Sequence, residues 1–238
     1  MFERPHHRSV ALVLQSLDAE ALARHHCWFG GGTAMALLHG EYRKSVDIDF
    51  LVSDIAGYRS LRQMLGDTRS LTPIVRPGMT LEVAREIRAD QYGIRTHIRV
   101  AGATIKFEIV LEGRIVLDMP STTDVVCGVR TLTALDLAAE KLLANADRWA
   151  DDAVNSRDLI DLAMHRAPRR MLLAACAKAE APYGQSIRRS VSKAMDSLRN
   201  RPGRLEACIK ALDITTVTRA QLWQAMKRIE RTLAAPLP

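Results

Sequence analysis

Two aspartates separated by one residue, Asp47 and Asp49, have side chains and a spacing that suit the binding of a metal ion. Side chains two residues apart on a β-strand share a face, with Cα atoms about 7 Å apart. Two carboxylates at that distance repel each other, and a hard divalent cation such as Mg²⁺ offsets the repulsion while also accepting phosphate oxygens. The pair therefore predicts a metal site that receives a phosphate; the alternative is an exposed pair on an edge strand.

A glycine cluster, Gly30-Gly31-Gly32-Thr33, precedes the aspartates and opens a short segment of helical composition, AMALLH. Backbone N–H groups and a hydroxyl at the start of a helix suit an anion, because the helix dipole favours negative charge there. The glycine spacing matches neither the P-loop nor GxGxxG. The cluster predicts a phosphate site, and a tight turn without a ligand is the alternative.

A third carboxylate, Glu108, lies in the β-rich segment KFEIV, where it alternates with Phe107 and Ile109. An acidic side chain next to apolar residues in a central strand needs a partner, because burying an unpaired charge is costly. Joining the metal site would supply one. Pairing with Lys106 or a neighbouring arginine on an exposed face is an equally good alternative.

Strands position these residues in the first half of the chain. The alternation in VDIDFLV predicts a strand over 46–52. Two β-rich runs between 95 and 111 are joined by Ala101-Gly102, which predicts a tight hairpin. We also expect helices over 9–26, 31–39 and 57–66, a loop over 66–90, and a short β-run over 114–119.

Beyond residue 125 only helical patterns are found, over 131–149, 156–166, 169–180, 185–199, 203–212 and 218–234. The organisation is therefore α+β first and all-α second. We expect a core domain over 1–125 and a helical domain over 126–238 that completes the site and carries a basic surface. No flexible linker marks the boundary, so the two are expected to pack together.

Charge is distributed unevenly along the chain, which has 34 Lys+Arg against 27 Asp+Glu and a formal charge of +7. Residues 1–125 hold 15 basic and 15 acidic side chains, whereas residues 166–238 hold 15 basic and five acidic ones. This excess favours a polyanionic partner such as nucleic acid, with a solvated basic surface as an equal alternative.

Composition excludes other classes of protein. With 47% hydrophobic and 26% charged residues the chain is neither disordered nor fibrous. No apolar run reaches the roughly 18 residues of a membrane span, and no signal-peptide pattern follows the first residues. We therefore expect a cytoplasmic protein without membrane contact.

The motifs, in their order along the chain, resemble those of one family. Phe29–Leu37 (FGGGTAMAL) and Arg43–Phe50 (RKSVDIDF) are similar to the signature of AbiEii/AbiGii-type nucleotidyltransferase toxins of abortive-infection and type IV toxin–antitoxin systems. Glu108, Lys141 and the segment Arg157–Leu162 (RDLIDL) continue the resemblance. It implies an α+β fold: a polymerase-β-like nucleotidyltransferase core with a mixed sheet, followed by an all-α C-terminal helical region. Glu stands at 108 where many members of the wider superfamily have Asp.

The resemblance also implies a reaction. Asp47, Asp49 and Glu108 would hold a Mg²⁺ (or Mn²⁺) pair, so that an acceptor hydroxyl attacks the α-phosphate of a nucleoside triphosphate. Lys141 would reach the triphosphate or orient its base. Asp158 joins these four as a catalytic candidate, and either it or Asp161 would hold Lys141 or Arg157 in place. The residues expected to bind the nucleotide are Gly31, Gly32, Thr33, Arg43, Ser45 and Lys141.

The family suggests an RNA acceptor, a tRNA 3′ end, and the basic C-terminal region could neutralise several of its phosphates. It also implies that the protein acts as a toxin with a cognate antitoxin as partner. Other acceptors are a small molecule such as an aminoglycoside, or a protein. A glycosyltransferase, or a non-catalytic nucleotide- or nucleic-acid-binding protein with the same fold, is a more distant alternative.

Overall fold

The computed structural model describes residues 2–234, which form two compact units. The first contains the chain up to Leu38 and Ser45–Thr133. The second contains His39–Lys44 and the chain from Ala134 onward, so a short piece from the first half belongs with the later helices. The limits 1–125 and 126–238 for independent domains stay a prediction.

In its described residues, 2–38 and 45–133, the first unit combines a five-stranded sheet with four helices, a small two-stranded ladder and a single 3₁₀ turn at Thr72–Ile74. In chain order the elements are α1 (Pro5–Ser16), α2 (Ala19–Arg24), β1 (Trp28–Gly30), α3 (Gly31–Leu38), β2 (Ile48–Val52), α4 (Ile55–Thr68), β3 (Glu82–Ala89), β4 (Gly93–Val100), β5 (Ala103–Leu111), β6 (Val125–Val126) and β7 (Val129–Arg130).

The main sheet is mixed, as predicted, with strand order β1-β2-β5-β4-β3. Strands β2 and β5 run parallel, and the other neighbours are antiparallel. The predicted hairpin is confirmed: β4 and β5 are joined by Ala101 and Gly102, which both have positive φ angles, 48° and 77°. Positive φ at both central residues matches the right-handed twist of the strands that they connect.

Part of the core of the first unit is a row of phenylalanines on one face of this sheet. Phe29 on β1, Phe50 on β2 and Phe107 on β5 are fully buried, with successive ring centroids 5.5 Å and 5.7 Å apart. Tilted contacts at this distance add to the free energy gained by burying the rings. These ring contacts join β1, which leads into α3, to β2 and β5, which carry Asp49 and Glu108.

Four local predictions were wrong. Strands were not expected beyond residue 125, but β6 and β7 form a two-stranded ladder there. The expected helix over 9–26 is two helices, because the side chain of Asp18 accepts the backbone N–H groups of Glu20 and Ala21 and so starts α2. No strand forms over 114–119. The predicted loop over 66–90 contains β3. Its charged sequence, EVAREIRA, has no clean two-residue alternation, and irregularities interrupt its register with β4.

The second unit is all-α, and each predicted helix is present. The helices are α5 (Ala134–Arg148), α6 (Arg157–His165), α7 (Arg169–Tyr183), α8 (Ser186–Asn200), α9 (Arg204–Ala211) and α10 (Arg219–Ala234), with one 3₁₀ turn at Asp152–Val154. Helix α5 contacts α6, α7 and α8. Within residues 2–234 no helix has the length and apolar character needed to span a membrane.

Candidate active site

The two aspartates lie where β2 begins. Asp47 directly precedes the strand and Asp49 is its second residue, while Ile48 between them is fully buried. Because neighbouring side chains alternate, the buried Ile48 places both carboxylates on the opposite, open side. In the parallel pairing of β2 with β5, Asp49 is in register with Glu108. The tertiary structure therefore brings the third predicted carboxylate next to the pair.

Gly31 begins α3 and lies against Asp49. Its φ is +68°, and a Cβ added there would be 2.9 Å from the Cβ of Asp49. Real Cβ atoms do not approach this closely, and residues other than glycine rarely adopt this backbone conformation. Gly31 is thus required both by the turn from β1 into α3 and by the position of Asp49.

The hydroxyl of Thr33 fixes the segment that leads into β2. Thr33 is 1% exposed, and its Oγ1 donates to the carbonyl oxygen of Asp47 and lies 2.9 Å from Oγ of Ser45. The backbone N–H of Ser45 donates in turn to Nε2 of the buried His7, at 3.2 Å. Thr33 and Ser45 therefore hold the backbone beside Asp47 within the first unit.

Glu108 has cationic partners from its own sheet. Its Oε1 lies 3.0 Å from Nε of Arg95, and its Oε2 lies 2.5 Å from Nζ of Lys106. Arg95 on β4 is the register partner of Glu108, so the pairing follows from the antiparallel ladder. The alternative expected for Glu108, pairing with Lys106 or a nearby arginine, is realised here.

Asp47 and Asp49 fit a metal ion held by two carboxylates, and Glu108 as a third ligand stays a prediction. Among residues 2–234 no three His, Cys, Asp or Glu side chains are grouped to hold a metal, and both oxygens of Glu108 face cations. The half-buried carboxylate of Asp47 makes no hydrogen bond or ion pair within this described part of the chain. Mg²⁺ is commonly bound by one or two carboxylates together with substrate phosphates, and Asp47 with Asp49 fits that donor set.

Arg43, Lys141 and Asp161 form a buried ionic cluster in the second unit. Nε and Nη2 of Arg43 bind the two carboxylate oxygens of Asp161 at 2.6 Å and 2.8 Å, and Nζ of Lys141 lies 2.7 Å from Asp161 Oδ2. Burial alone would raise the pKa of Asp161, but the charges of Arg43 and Lys141 outweigh it and hold that pKa well below its usual range. The hydroxyl of Tyr42 also donates to Asp161, at 2.6 Å.

Asp158, one helical turn before Asp161, extends this cluster. Its carboxylate binds Nζ of Lys141 at 3.2 Å and the guanidinium of Arg148 at 2.7 Å and 2.9 Å. Burial raises the pKa of Asp158, and the charges of Lys141 and Arg148 lower it further than burial raises it. Both aspartates of the RDxxDL segment thus hold Lys141, as the sequence predicted for one of them.

The structure therefore places the predicted site residues in two groups. Those of the first unit lie around the start of α3 and β2: Gly31, Gly32, Thr33, Ser45, Asp47, Asp49 and Glu108. Those of the second unit form the buried cluster: Arg43, Lys141, Asp158 and Asp161. The roles of Arg43 and Lys141 in phosphate binding stay predictions, and their observed partners are carboxylates.

Sequence reasoning missed four residues that contact the predicted ones: His7, Tyr42, Arg95 and Arg148. Arg148 lies ten residues before Asp158 and ends α5, where a cation is expected in any case. Arg95 has a detectable signal, since pairing β4 with β5 around Ala101-Gly102 places it opposite Glu108. His7 and Tyr42 give no local signal, because their partners are distant in sequence.

Acidic side chains neutralise part of the basic C-terminal region. Arg188 pairs with Glu180, Arg201 pairs with Asp152, and Arg219 pairs with Glu206. Many others have no ion pair within residues 2–234, among them Arg166, Arg169, Arg170, Arg189, Lys210 and Lys227. A net positive surface therefore persists on these helices.

Comparison with known proteins gives matches over nearly the whole chain. The family model described as "Nucleotidyl transferase AbiEii toxin, Type IV TA system" matches residues 13–234. A search of curated proteins gave no significant match.

Two solved structures from Helicobacter pylori share the fold. A protein provisionally described as a nucleotidyltransferase is 19% identical, with a TM-score of 0.52 over 95% of this chain and 94% of its own. JHP933 is 16% identical, with a TM-score of 0.51 over 98% of this chain and 95% of its own. Given the order of the GGT, DxD and RDxxDL elements and the extent of the family match, the chain belongs to the AbiEii family of nucleotidyltransferase toxins of type IV toxin–antitoxin systems.

Proposed function

We propose that this protein transfers a nucleoside monophosphate from a nucleoside triphosphate to a hydroxyl acceptor on RNA. The observation that carries the proposal is the register of Asp49 with Glu108, beside Gly31 at the start of α3. It combines an acidic strand pair with a helix N-terminus, the two features that handling of a triphosphate requires. Membership of the AbiEii family supports the class of reaction.

The start of α3 receives the phosphates of the nucleotide. The first N–H groups of a helix have no acceptor within the helix, so those of Gly31 and Gly32 are suited to anionic oxygens. The Thr33 hydroxyl already binds the carbonyl of Asp47, and it therefore sets the distance between this helix and the aspartates. Ser45 supports the same segment through Thr33 and His7.

Asp47 and Asp49 hold Mg²⁺ or Mn²⁺ together with the triphosphate. When bound, such an ion neutralises phosphate charge and lowers the pKa of an acceptor hydroxyl. In the transfer itself the acceptor oxygen bonds to the α-phosphorus, the bond from that phosphorus to the bridging oxygen breaks, and pyrophosphate leaves. The hydroxyl proton passes to a base or to solvent.

Glu108 completes the acidic group once Arg95 or Lys106 releases one of its oxygens. In the structure both oxygens of Glu108 are bound by these cations, and its side chain is 14% exposed. A phosphate arriving at the site competes for the same cations, because Arg and Lys bind phosphate and carboxylate alike. Phosphate binding thereby releases the Glu108 carboxylate from its ion pairs and makes it available to the acceptor hydroxyl.

The buried cluster of the second unit positions residues and does not itself react. Asp161 and Asp158 engage Arg43 and Lys141, each 5% exposed or less. Arg43 also donates to the carbonyl oxygen of Lys44, so its ion pair with Asp161 fixes the segment 39–44 within the second unit. We assign Arg43, Lys141, Asp158 and Asp161 to this positioning role.

The acceptor is RNA, with a tRNA 3′ end as the expected site. Its support is the net positive charge of residues 166–238 and the family's assignment to toxin–antitoxin systems. The protein then acts as a toxin whose cognate antitoxin opposes it. An aminoglycoside or a protein would be a different acceptor for the same reaction.

The test is transfer of label from α-labelled nucleoside triphosphates, offered singly, to total cell RNA, total protein and aminoglycosides. We expect labelled RNA that depends on Mg²⁺ or Mn²⁺ and disappears when EDTA is added. Asp47→Asn and Asp49→Asn should each reduce the rate by at least about 100-fold, the usual cost of removing a group that stabilises developing charge. Glu108→Gln should reduce it as well.

Asp67→Asn, an exposed carboxylate on α4, is the matched control and should transfer label at the rate of the unaltered protein. Circular dichroism and urea unfolding of all variants show whether the fold survives. Undiminished transfer by both Asp47→Asn and Asp49→Asn would remove these residues from the mechanism. Label in aminoglycosides or protein, with none in RNA, would overturn the proposed acceptor.

A further inference from the structure

On β5, β4 and β3 the face of the main sheet opposite the buried phenylalanines carries a continuous set of charged side chains, and we call it the open face. On β2 the same side of the sheet holds Asp49 and the buried Leu51. Register partners share a face, so the face can be followed from Asp49 to Glu108 and then to Arg95. On β4 it continues with His97 and Arg99. The remaining members are Lys106 on β5, and Glu82, Arg85 and Arg88 on β3.

This open face is basic beyond Glu108. Of its ion pairs, one joins Arg99 to Glu82 and another joins Arg95 to Asp90 in the turn between β3 and β4. Arg85 and Arg88 are exposed, and their guanidinium groups make no ion pair or hydrogen bond with any residue from 2 to 234. Five Arg and Lys side chains therefore share the face with two glutamates and Asp49, and two of the arginines are available to a ligand.

Protection of a sheet edge accounts for only part of this charge. Strand β3 is an edge strand, and charges with register irregularities on such a strand hinder pairing with other chains. Strands β4 and β5, however, are paired on both sides. Arg95, Arg99 and Lys106 lie on these internal strands and are 41%, 57% and 42% exposed. Their placement calls for a second explanation.

The geometry of the face suits an extended polyanion. Arg95, His97 and Arg99 follow each other at every second residue of β4, which spaces them by about 6.8 Å. This step is comparable to that between successive phosphates of an extended single strand. A second row, Arg85 and Arg88, lies beside the first on β3. Cations in such rows bind phosphates without reading base sequence.

We propose that this open face binds the single-stranded end of the RNA acceptor and guides it to Asp49 and Glu108. The inference rests on the proposed function, because only a nucleotidyl acceptor needs to reach these carboxylates. Because the face is continuous with Glu108, a polyanion bound along it is led to the proposed catalytic carboxylates. An RNA acceptor has to reach these carboxylates and an acidic protein does not, so the continuity favours RNA. It also locates acceptor contacts on strands of the first unit.

The test compares three double variants that each remove two exposed arginines without an ion pair to any residue from 2 to 234. Arg85→Ala/Arg88→Ala alters the open face, Arg169→Ala/Arg170→Ala alters the start of α7, and Arg59→Ala/Arg62→Ala alters α4. The binding probe is a fluorescent single-stranded RNA ending in CCA, measured by anisotropy at several salt concentrations. Label transfer from the triphosphate to the same RNA is measured in parallel.

We expect the open-face variant to bind RNA several-fold more weakly. The slope of log affinity against log salt should become shallower by about 1.4, since each lost phosphate contact on a single strand contributes about 0.7. Its KM for RNA should rise, while its KM for the triphosphate should not change. The α4 variant, with the same loss of charge, should behave like the unaltered protein.

The proposal is overturned if the open-face variant binds RNA with unaltered affinity and salt slope. It is also overturned if poly-glutamate displaces the RNA as effectively as an unlabelled RNA of equal charge, which would assign the face to acidic proteins. A third outcome is that the unaltered protein transfers no label to RNA, while RNA affinity falls only in the open-face variant. In that case the proposed function fails and the binding face stands. If transfer to RNA proceeds but depends only on Arg169 and Arg170, the proposed function stands and this face is excluded.

Discussion

Arg43 and Asp161, 118 residues apart in the sequence, form a two-pronged ion pair with distances of 2.6 Å and 2.8 Å. Their side chains are 4% and 0% exposed. The planar guanidinium matches the two carboxylate oxygens, and Asp161 also binds Lys141. Asp161, the second aspartate of the RDxxDL segment, is therefore the centre of a buried cluster that includes Arg43.

Replacing Asp161 by alanine should destabilise the protein strongly. Asp161→Ala leaves Arg43 without its carboxylate and removes one of the two partners of Lys141, both in buried positions. Breaking a buried ion pair from one side typically costs about 3–5 kcal/mol. Urea unfolding followed by circular dichroism measures the change in the free energy of unfolding. Asp67→Ala, at an exposed position, should change it by less than about 0.5 kcal/mol. Equal stabilities for the two variants would show that the cluster is not structural.

Gly31→Ala should reduce activity more than its cost in stability explains. A left-handed backbone costs about 1–2 kcal/mol for a residue with a Cβ, and the new methyl group would displace Asp49. Gly40→Ala is the matched control, since Gly40 has a φ of +75° and nothing within 4 Å of an added Cβ. Both variants should lose similar free energy of unfolding from the backbone alone. Label transfer should fall by at least about tenfold only in Gly31→Ala, and similar transfer rates in both would remove Gly31 from the positioning of Asp49.

A pair of histidines in the second unit should make stability depend on pH. Nε2 of His165 lies 2.8 Å from the carbonyl oxygen of Ala134 and therefore donates to it. Nδ1 of the neutral His165 then accepts the Nε2–H of His39, 2.9 Å away. Burial, followed by the electrostatic effects of the neighbouring His165 and Arg166, lowers the pKa of His39 to about 4, although Asp161 opposes the shift.

The sign of the effect follows from proton binding. Between the ordinary pKa of 6.5 and about 4 the unfolded chain binds a proton at His39 that the folded protein does not. The free energy of unfolding should therefore fall as the pH is lowered from 7 to 4. Urea unfolding at half-unit pH steps measures it, and His39→Gln should flatten the curve. An unaltered slope in His39→Gln would exclude this histidine as the cause.

Local sequence patterns predicted the elements that carry the site. Hydrophobic alternation around Ile48 and Phe50 found β2, the glycine cluster found α3, and Ala101-Gly102 found the hairpin. The pattern failed at β3, because an exposed, irregular edge strand becomes a strand through its hydrogen bonds to β4 and not through its own composition. The prediction of one helix over 9–26 failed because hydrophobic periodicity does not show where a helix is interrupted. The capping side chain of Asp18 ends that periodic segment and starts α2.

The amino-acid sequence by itself determined that Asp47 and Asp49 share one side of a strand, because side-chain alternation is a local property of the backbone. It also determined that Asp158 and Asp161 share one side of a helix. Only the tertiary structure decided their partners. The parallel pairing of β2 with β5 places Glu108 beside Asp49, and folding of segment 39–44 onto the helices gives Asp161 to Arg43. Such contacts join residues far apart in the chain, so they are set by packing of the whole core, which no short window of sequence contains.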